Sequence, residues 1–382
     1  MTTKKRQLIF LIVNPLVALL LFFCVQKVYF LPGNDSTAFF YGPIIKHKLF
    51  GDTPKDILLI NTHFDNQLVE NLDEHGFPMG NLPIVDRQKL TTLFSKFTNS
   101  NAHKYIICDI IFDIPSKDDD ALSTVMKTVD HVIIPDYTNT LESFADINSG
   151  LVDISTASGT FYKYRILNSK NKKKSIPLKV YEELNNTAIK PYALFSFLNG
   201  KMILNDFVPD PLFRSYNILE SKELPVINLG DIIHLNPKTF QEFTADKIVV
   251  IGNYYSDNVG TIYGTAPGPL ILLNAYYGLK NHKNVLSLPL LLILYIVFFA
   301  FSYHVCIPKP RLEAALTKLK LWGKLLELLS YALIMLIVGL LIYFCFGINI
   351  NLSYLSLFFF LQSLFIHRIY YLKKLKEQFS LK

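Results

Sequence analysis

The chain has 382 residues, of which 51% are apolar and 18% are charged, and its formal net charge is +7. The basic excess lies in the flanking segments 1–30 and 304–382, which carry 14 Lys and Arg against 3 Asp and Glu, whereas 31–303 carries 24 against 28. This distribution points to a membrane protein and excludes nucleic acid as the expected partner.

Four apolar runs approach or exceed the ~20 residues that a helix needs to cross a bilayer. Because every backbone N–H and C=O needs an internal partner in lipid, each run is predicted to be a helix. We interpret the first as a retained anchor at 1–30, with a cleaved signal peptide as the alternative, and expect Asn14-Pro15 to kink it. The four runs are 8–30, 285–307, 325–348 and 352–371.

Basic clusters fix the expected orientation of these helices. They precede the first run, lie in the loop 308–324 between the second and third, and follow the fourth in the tail 372–382. Positive residues stay on the cytoplasmic side, and an even number of helices puts all three clusters there. The sequence therefore predicts a multi-pass protein of the bacterial inner membrane. A large domain at 31–284 lies in the periplasm, and 285–382 holds three helices and a short basic tail.

The domain at 31–284 shows the alternating pattern of an α/β fold. Buried strands are predicted from continuous apolar runs, and helices from amphipathic spacing. Strands alternating with helices predict a mostly parallel sheet flanked by helices. The predicted strands are 57–61, 105–111, 132–135, 202–207 and 247–252, with a hairpin over 151–155 and 161–167. The predicted helices are 86–100, 118–129, 177–184, 191–197 and 267–279.

The order of motifs resembles the second type of CHASE domain, an extracellular sensory domain associated with bacterial cyclases and histidine kinases. Leu272 stands where the family usually has His, which puts a ligand role at that position in doubt. The segments that carry the resemblance are Ile57–Asp65, Ile107–Asp113, Asp118–Leu122, Gly150–Arg165, Leu204–Leu219, Lys247–Gly252, Thr265–Gly268 and Asn274-Ala275.

The resemblance also covers the membrane topology, since the family typically has one helix before the domain and three after it. In the family a cytoplasmic output domain usually follows the last helix. Here only the short tail follows, so the resemblance implies signalling through another polypeptide.

Polar residues after three predicted strands are the candidate ligand-binding residues, because ligands of open α/β sheets bind at the carboxyl ends of strands. An ordinary loop is the alternative for each group. The candidates are His63, Asp65, Asp109, Asp113, Asn253, Tyr254 and Asp257.

The acidic run Asp118, Asp119 and Asp120 has two interpretations. Its carboxylates suit a hard cation such as Ca²⁺, or they cap the following helix. No cofactor is expected. Because the sequence contains no Walker loop, GxSxG, HExxH or CxxC motif, we expect no enzymatic activity.

Polar residues in the apolar runs are expected to mark helix contacts or interfacial positions. They are Asn14, His304, Gln362 and His367. The predicted function is that of a sensor, which detects a ligand or envelope partner and relays it to a separate protein through the loop 308–324 or the tail 372–382. The alternatives are a structural subunit of an envelope complex and, more weakly, a transporter accessory. Membrane lipid and a second copy of the chain are further expected partners.

Overall fold

The computed structural model describes residues 3–26, 54–72, 75, 77–152, 154–157, 160–168, 171–192, 195–207, 226–261, 264–306, 320–348, 350 and 352–380. The chain divides into two compact units. The α/β unit comprises Pro43–Thr187 and Val208–His282, and the helical unit comprises Met1–Gly42, Ala188–Phe207 and Lys283–Lys382.

The elements are numbered in chain order across both units. They are α1 (Thr3–Gln26), β1 (Ile57–Asn61), β2 (Asn66–Leu72), β3 (Pro78–Val85), α2 (Arg87–Ser100), β4 (Tyr105–Cys108), α3 (Asp119–Met126), β5 (Val132–Pro135), β6 (Ser149–Gly150), β7 (Ile154–Ala157), β8 (Thr160–Arg165), α4 (Ile176–Asn185), β9 (Lys190–Pro191), β10 (Ser196–Leu198), β11 (Lys201–Ile203), β12 (Asp206–Phe207), β13 (Val226–Asn228), α5 (Leu229–Ile232), α6 (Pro237–Thr244), β14 (Ile248–Gly252), β15 (Asn258–Thr261), β16 (Gly264–Pro267), α7 (Gly268–Lys280), α8 (Leu288–Cys306), α9 (Lys320–Phe346) and α10 (Ser353–Ser380). A single 3₁₀ turn lies at Glu142–Phe144.

A six-stranded parallel sheet organises the α/β unit. Its strand order is β13-β1-β14-β4-β5-β6, and every neighbouring pair is parallel. All side chains of β1 and β14 are buried, as expected for a strand that is covered on both faces. The predicted α/β class with a mostly parallel sheet is confirmed.

Helices cover both faces of this sheet. Leu58 and Ile60 belong to a core cluster that includes apolar residues of α2, α3, α5 and α6. Ile57 and Leu59 are equally buried and point to the opposite face, because side chains alternate along a strand. Helices α4 and α7 pack against each other and against β5 and β14 respectively.

Helix α2 shows how local sequence sets these elements. The side chain of Asp86 caps its first turn by accepting a hydrogen bond from the backbone N–H of Lys89 at 3.0 Å, which satisfies a donor that the helix itself cannot pair. The helix ends at Ser100, and its apolar side chains recur at helical spacing and are fully buried. These side chains are Leu90, Leu93, Phe94 and Phe97.

Several predicted boundaries are corrected by the structure. The strand predicted over 105–111 ends at Cys108, and the helix predicted over 118–129 spans only Asp119–Met126. The helix predicted over 191–197 is wrong, because β9 and β10 occupy this region. Its aromatic side chains pack against one another at ring-centroid distances of 5.6–5.9 Å, and aromatic residues favour strands.

The antiparallel pair of β2 (Asn66–Leu72) and β3 (Pro78–Val85), which we call the ribbon, was not predicted from the sequence. It leaves the carboxyl end of β1 and leads into α2. Ile84 is buried, with 8% exposure. A register shift lies between Glu70 and Leu72, and Gly80 on the facing strand has φ +114°, a conformation that glycine adopts without strain.

The helical unit contains the apolar helices. Among the residues that the structure describes, three segments are long and apolar enough to cross a membrane: Gln7–Val25, Leu288–Cys306 and Trp322–Phe346. A shorter apolar stretch, Ser353–Ile366, forms the first half of α10. Apolar side chains of α1, α8, α9 and α10 form one core cluster. Three of the four predicted membrane helices are therefore confirmed as candidates, and the fourth crossing stays a prediction.

Candidate functional site

The carboxyl ends of the parallel strands carry the candidate site. The structure places the seven predicted ligand residues after β1, β4 and β14, which are neighbours in the order β1-β14-β4. In open α/β sheets, ligands bind at the loops that follow the carboxyl ends of the strands. The seven side chains differ greatly in their surroundings.

Asp109 and Asp257 carry the unusual electrostatics of this edge. Burial, together with the negative charge of Asp257, raises the pKa of Asp109 to about 7. Burial also raises the pKa of Asp257. Among the residues that the structure describes, no hydrogen bond or ion pair to the carboxylate of Asp109 is found. The carboxylates of Asp109 and Asp257 therefore repel each other in surroundings that are partly shielded from water.

Gly268 lets Asp257 approach the first turn of α7. A Cβ atom at this position would collide with Oδ2 of Asp257, and the backbone N–H of Gly268 donates to the carbonyl oxygen of Asp257 at 2.8 Å. A carboxylate at a helix N-terminus is stabilised by the helix dipole. This position therefore holds the Asp257 carboxylate at the edge of the sheet.

Tyr137, which follows β5, belongs to the same neighbourhood. Its pKa is raised by burial and by the charges of Asp109, Asp257 and Asp113. The side chain remains 45% exposed, so one part of the ring faces solvent. Tyr137 was not among the predicted site residues, although its position after a predicted strand was a usable signal.

His63 lies in an exposed group of aromatic rings. Its ring centroid is 4.9 Å from that of Phe64 and 5.1 Å from that of Tyr255, and the latter two are 5.0 Å apart. Phe64 and Tyr255 are exposed. Nδ1 of His63 also lies 3.4 Å from the hydroxyl of Ser256. An exposed aromatic group on the loops of an edge that also carries Asp109 and Asp257 suits a ligand with positive charge.

Asp65 has a structural role. One carboxylate oxygen accepts a hydrogen bond from Nζ of Lys89 at 2.7 Å, and the other accepts from the backbone N–H of Gly230 at 3.0 Å. The side chain is 7% exposed. Because both oxygens are occupied, Asp65 ties the loop after β1 to α2 and α5 and is poorly placed to bind a ligand.

Asn253 and Tyr254 shape the loop after β14. Oδ1 of Asn253 accepts from the backbone N–H groups of Tyr255 and Ser256, each at 3.0 Å. The Tyr254 hydroxyl donates to the carbonyl oxygen of Val250 at 3.0 Å, and its ring is buried. Tyr254 therefore belongs to the core beneath the edge.

The acidic run at 118–120 is engaged with protein groups. Oδ1 of Asp118 accepts from Gln88 at 3.3 Å, and Oδ1 of Asp120 accepts from Ser143 at 3.0 Å. In the part of the chain that the structure describes, no group of three or more His, Cys, Asp or Glu side chains could hold a metal ion. The third carboxylate, Asp119, has the strongest partner.

Arg87 and Asp119 form a buried ion pair that the sequence analysis missed. Nε of Arg87 lies 3.1 Å from Oδ1 of Asp119, and their side chains are 1% and 6% exposed. The guanidinium also lies 4.6 Å from the centre of the Phe112 ring. Oδ2 of Asp119 accepts from the backbone N–H of Ser116 at 2.6 Å. The pair fixes α3 to the start of α2 and leaves Asp119 unavailable to a cation.

A separate polar cluster lies inside the helical unit. The amides of Asn14 on α1 and Gln362 on α10 exchange hydrogen bonds of 2.9 and 2.7 Å, and Asn14 also donates to the hydroxyl of Ser302 on α8 at 2.9 Å. Nδ1 of His304 lies 3.3 Å from the Tyr331 hydroxyl. Asn14, Gln362 and His304 thus make contacts between helices. The side chain of His367 lies outside the described residues.

Comparison with protein-family models, with curated proteins and with solved structures finds no match to this chain. The chemistry of the edge therefore has to be inferred from its own side chains. Of the seven predicted residues, Asp109, Asp257 and His63 lie among groups that suit ligand binding. Asp113 is exposed near them. Asp65, Asn253 and Tyr254 support the loops.

Proposed function

We propose that this chain is a non-catalytic protein of the bacterial inner membrane whose periplasmic α/β unit has a sensory role of the second CHASE type. It binds a positively charged ligand or envelope partner and relays that event to a separate protein. One observation carries the proposal. Asp109 and Asp257 follow neighbouring strands at the carboxyl edge of a parallel sheet, Asp109 has no partner among the described residues, and exposed aromatic rings lie on the loops after β1 and β14 at the same edge.

The surroundings of the reactive side chains favour binding over catalysis. The thiol of Cys108 is buried, and burial together with the charge of Asp109 raises its pKa, which opposes formation of the nucleophilic thiolate. His63 contacts aromatic rings and the hydroxyl of Ser256. These contacts suit recognition of a ligand better than activation of a nucleophile.

Four membrane crossings belong to the proposal, and the polar cluster supports the fourth. A Gln inside an apolar helix is costly unless its amide is paired. Gln362 is paired with Asn14, and the apolar side chains around it belong to the core of the helical unit. With four crossings both termini and the loop 308–324 face the cytoplasm, where this loop or the tail 372–382 would contact the separate protein.

A structural role in an envelope complex is the second candidate function. The observation that favours it is the exposure of large apolar side chains on the ribbon, since exposed apolar surface marks sites of protein interaction. The two functions differ in what should co-purify with the chain and in how the chain responds to small ligands.

Thermal-shift screening of the full-length protein in mild detergent tests the binding proposal. Cationic compounds should raise the melting temperature of the wild type, because a ligand that binds only the folded state stabilises it, whereas anionic compounds of equal size should not. The Asp109→Ala/Asp257→Ala variant should lose the response. The control Asp146→Ala, which removes a carboxylate that is 83% exposed, should keep it. Equal responses to cations and anions would contradict the proposal.

A pull-down from the same detergent extract, analysed by mass spectrometry, tests the relay. A co-purifying kinase or cyclase supports sensing. A stoichiometric set of envelope proteins, together with no response in the ligand screen, supports the structural role.

A further inference from the structure

The ribbon exposes large apolar side chains to an unusual degree. Leu68 is 69% exposed, Met79 69%, and Phe77, directly before β3, 65%. Phe64, just before the ribbon, is also exposed. Scattered exposed apolar residues are ordinary, but several on one two-stranded element are typical of an interaction surface.

The charge of the ribbon has one sign. The two strands of the ribbon, Asn66–Leu72 and Pro78–Val85, contain Glu70 and no Lys or Arg. Glu70 is exposed. The ribbon therefore combines apolar side chains with negative charge, and its electrostatic complement is a surface that combines apolar side chains with Lys or Arg.

The backbone of the ribbon offers a second means of recognition. Among the described residues, β2 and β3 pair only with each other. Each strand therefore has an outer edge to which no described strand is added. An extended segment of a partner can add to such an edge through backbone hydrogen bonds, while its side chains contact those of the ribbon.

We infer that the ribbon is the docking site for a separate polypeptide that presents an extended segment of alternating basic and apolar side chains. Two other occupants fit less well. Pairing of two ribbons from two copies of the chain would set the negative charge of one ribbon against that of the other, and like charges across an interface are unfavourable. An anionic lipid surface would repel the carboxylate of Glu70.

Binding of two synthetic peptides to the full-length protein in zwitterionic lipid nanodiscs tests this inference. One peptide alternates Lys and Leu, and the other has Glu in place of every Lys. Fluorescence anisotropy gives the dissociation constants, and empty nanodiscs correct for binding to lipid. The Lys peptide should bind at least about tenfold more tightly than the Glu peptide, and added salt should reduce the difference.

Variants locate the binding on the ribbon. Leu68→Ser/Met79→Ser and Glu70→Lys should each weaken binding of the Lys peptide by about tenfold. Phe243→Ser, which removes an exposed aromatic side chain of α6, should leave it unchanged. Unchanged circular dichroism spectra show that the variants are folded.

Four results would overturn the inference. They are equal affinity for the two peptides, Lys-peptide binding that the ribbon variants do not weaken, ribbon-dependent binding to anionic vesicles, and ribbon-dependent self-association. Because the assay reads peptide binding to the ribbon, its failure would leave the proposed ligand site at Asp109 and Asp257 untouched.

Discussion

Replacing Asp109 by Asn should make the protein more stable at high pH. The pKa of this carboxyl is raised from the ordinary 3.8 to about 7 in the folded protein. Each pKa unit corresponds to about 1.4 kcal/mol, so ionised Asp109 costs the folded state on the order of 4 kcal/mol. Asn has nearly the same shape and no charge to bury.

The sign of the pH dependence follows from the two pKa values. Below pH 4 both the folded and the unfolded chain hold the proton, and Asp109 contributes nothing. Between about pH 4 and pH 7 the unfolded chain loses this proton first, so the free energy of unfolding of the wild type falls as the pH rises. Above pH 7 the full cost remains. Asp109→Asn should therefore equal the wild type near pH 4 and exceed it by up to about 4 kcal/mol at pH 8.

Proteolysis of the full-length protein in mild detergent across a urea series measures this difference, because cleavage reports the population of the unfolded α/β unit. Asp146→Asn is the matched control. Its carboxylate is 83% exposed, so its effect should stay within about 0.5 kcal/mol at both pH values. If Asp109→Asn were no more stable than the wild type at pH 8, the burial of the Asp109 carboxylate would be refuted.

Three further predictions concern other parts of the structure. Asp119→Asn should lower the free energy of unfolding of the α/β unit by about 3–5 kcal/mol, since it leaves the charge of Arg87 buried and unpaired. Urea-dependent proteolysis measures this loss, and Arg87→Met/Asp119→Leu should restore most of it. Asn14→Leu should destabilise the helical unit by about 0.6–1.7 kcal/mol in a detergent unfolding assay, because the amide of Gln362 loses its partner. The double variant Asn14→Leu/Gln362→Leu leaves no unpaired amide, so it should lose less stability than Asn14→Leu. An equal or larger loss of stability in the double variant would contradict the role of the pair. Gly268→Ala should displace the Asp257 carboxylate, because its Cβ would collide with Oδ2, and should weaken the thermal shift produced by cationic compounds; an unchanged thermal shift would contradict the role of Asp257 in binding.

Periodicity predicted the parts of the fold that bury a continuous face. The run Ile57–Asn61 is buried on both sides, and α2 repeats its apolar residues at helical spacing, so both were predicted correctly. The ribbon has neither signal. Its strands expose Leu68 and Met79 and contain Gly80 at a positive φ, so neither regular alternation nor a continuous apolar run marks it.

The sequence predicted which polar residues follow the strand ends, and whether they bind a ligand stays a prediction. Strand ends can be read from the sequence, and they placed Asp65 and Asp109 at one edge. These two carboxylates differ in their contacts with residues that are distant in the sequence. The partners of Asp65 are Lys89 and the backbone of Gly230, which lies 165 residues away. Asp109 instead is buried near the negative charge of Asp257. A single sequence contains no pattern that reports such partners, and the same limit hid the pairing of Arg87 with Asp119.

Helix α7 begins at the candidate site and ends beside Asp56, so both of its ends contact acidic side chains of the α/β unit. Its first residue, Gly268, leaves room for the Asp257 carboxylate. Its last turns are fixed to Asp56, which accepts hydrogen bonds from the hydroxyl of Tyr277 at 2.7 Å and from Nζ of Lys280 at 3.1 Å. In the proposed function, a positively charged ligand favours ionisation of both Asp109 and Asp257 and so changes the charge at the start of α7. In that proposal α7 is the element of the α/β unit on which the ligand acts first, because it begins beside Asp257 and ends beside Asp56.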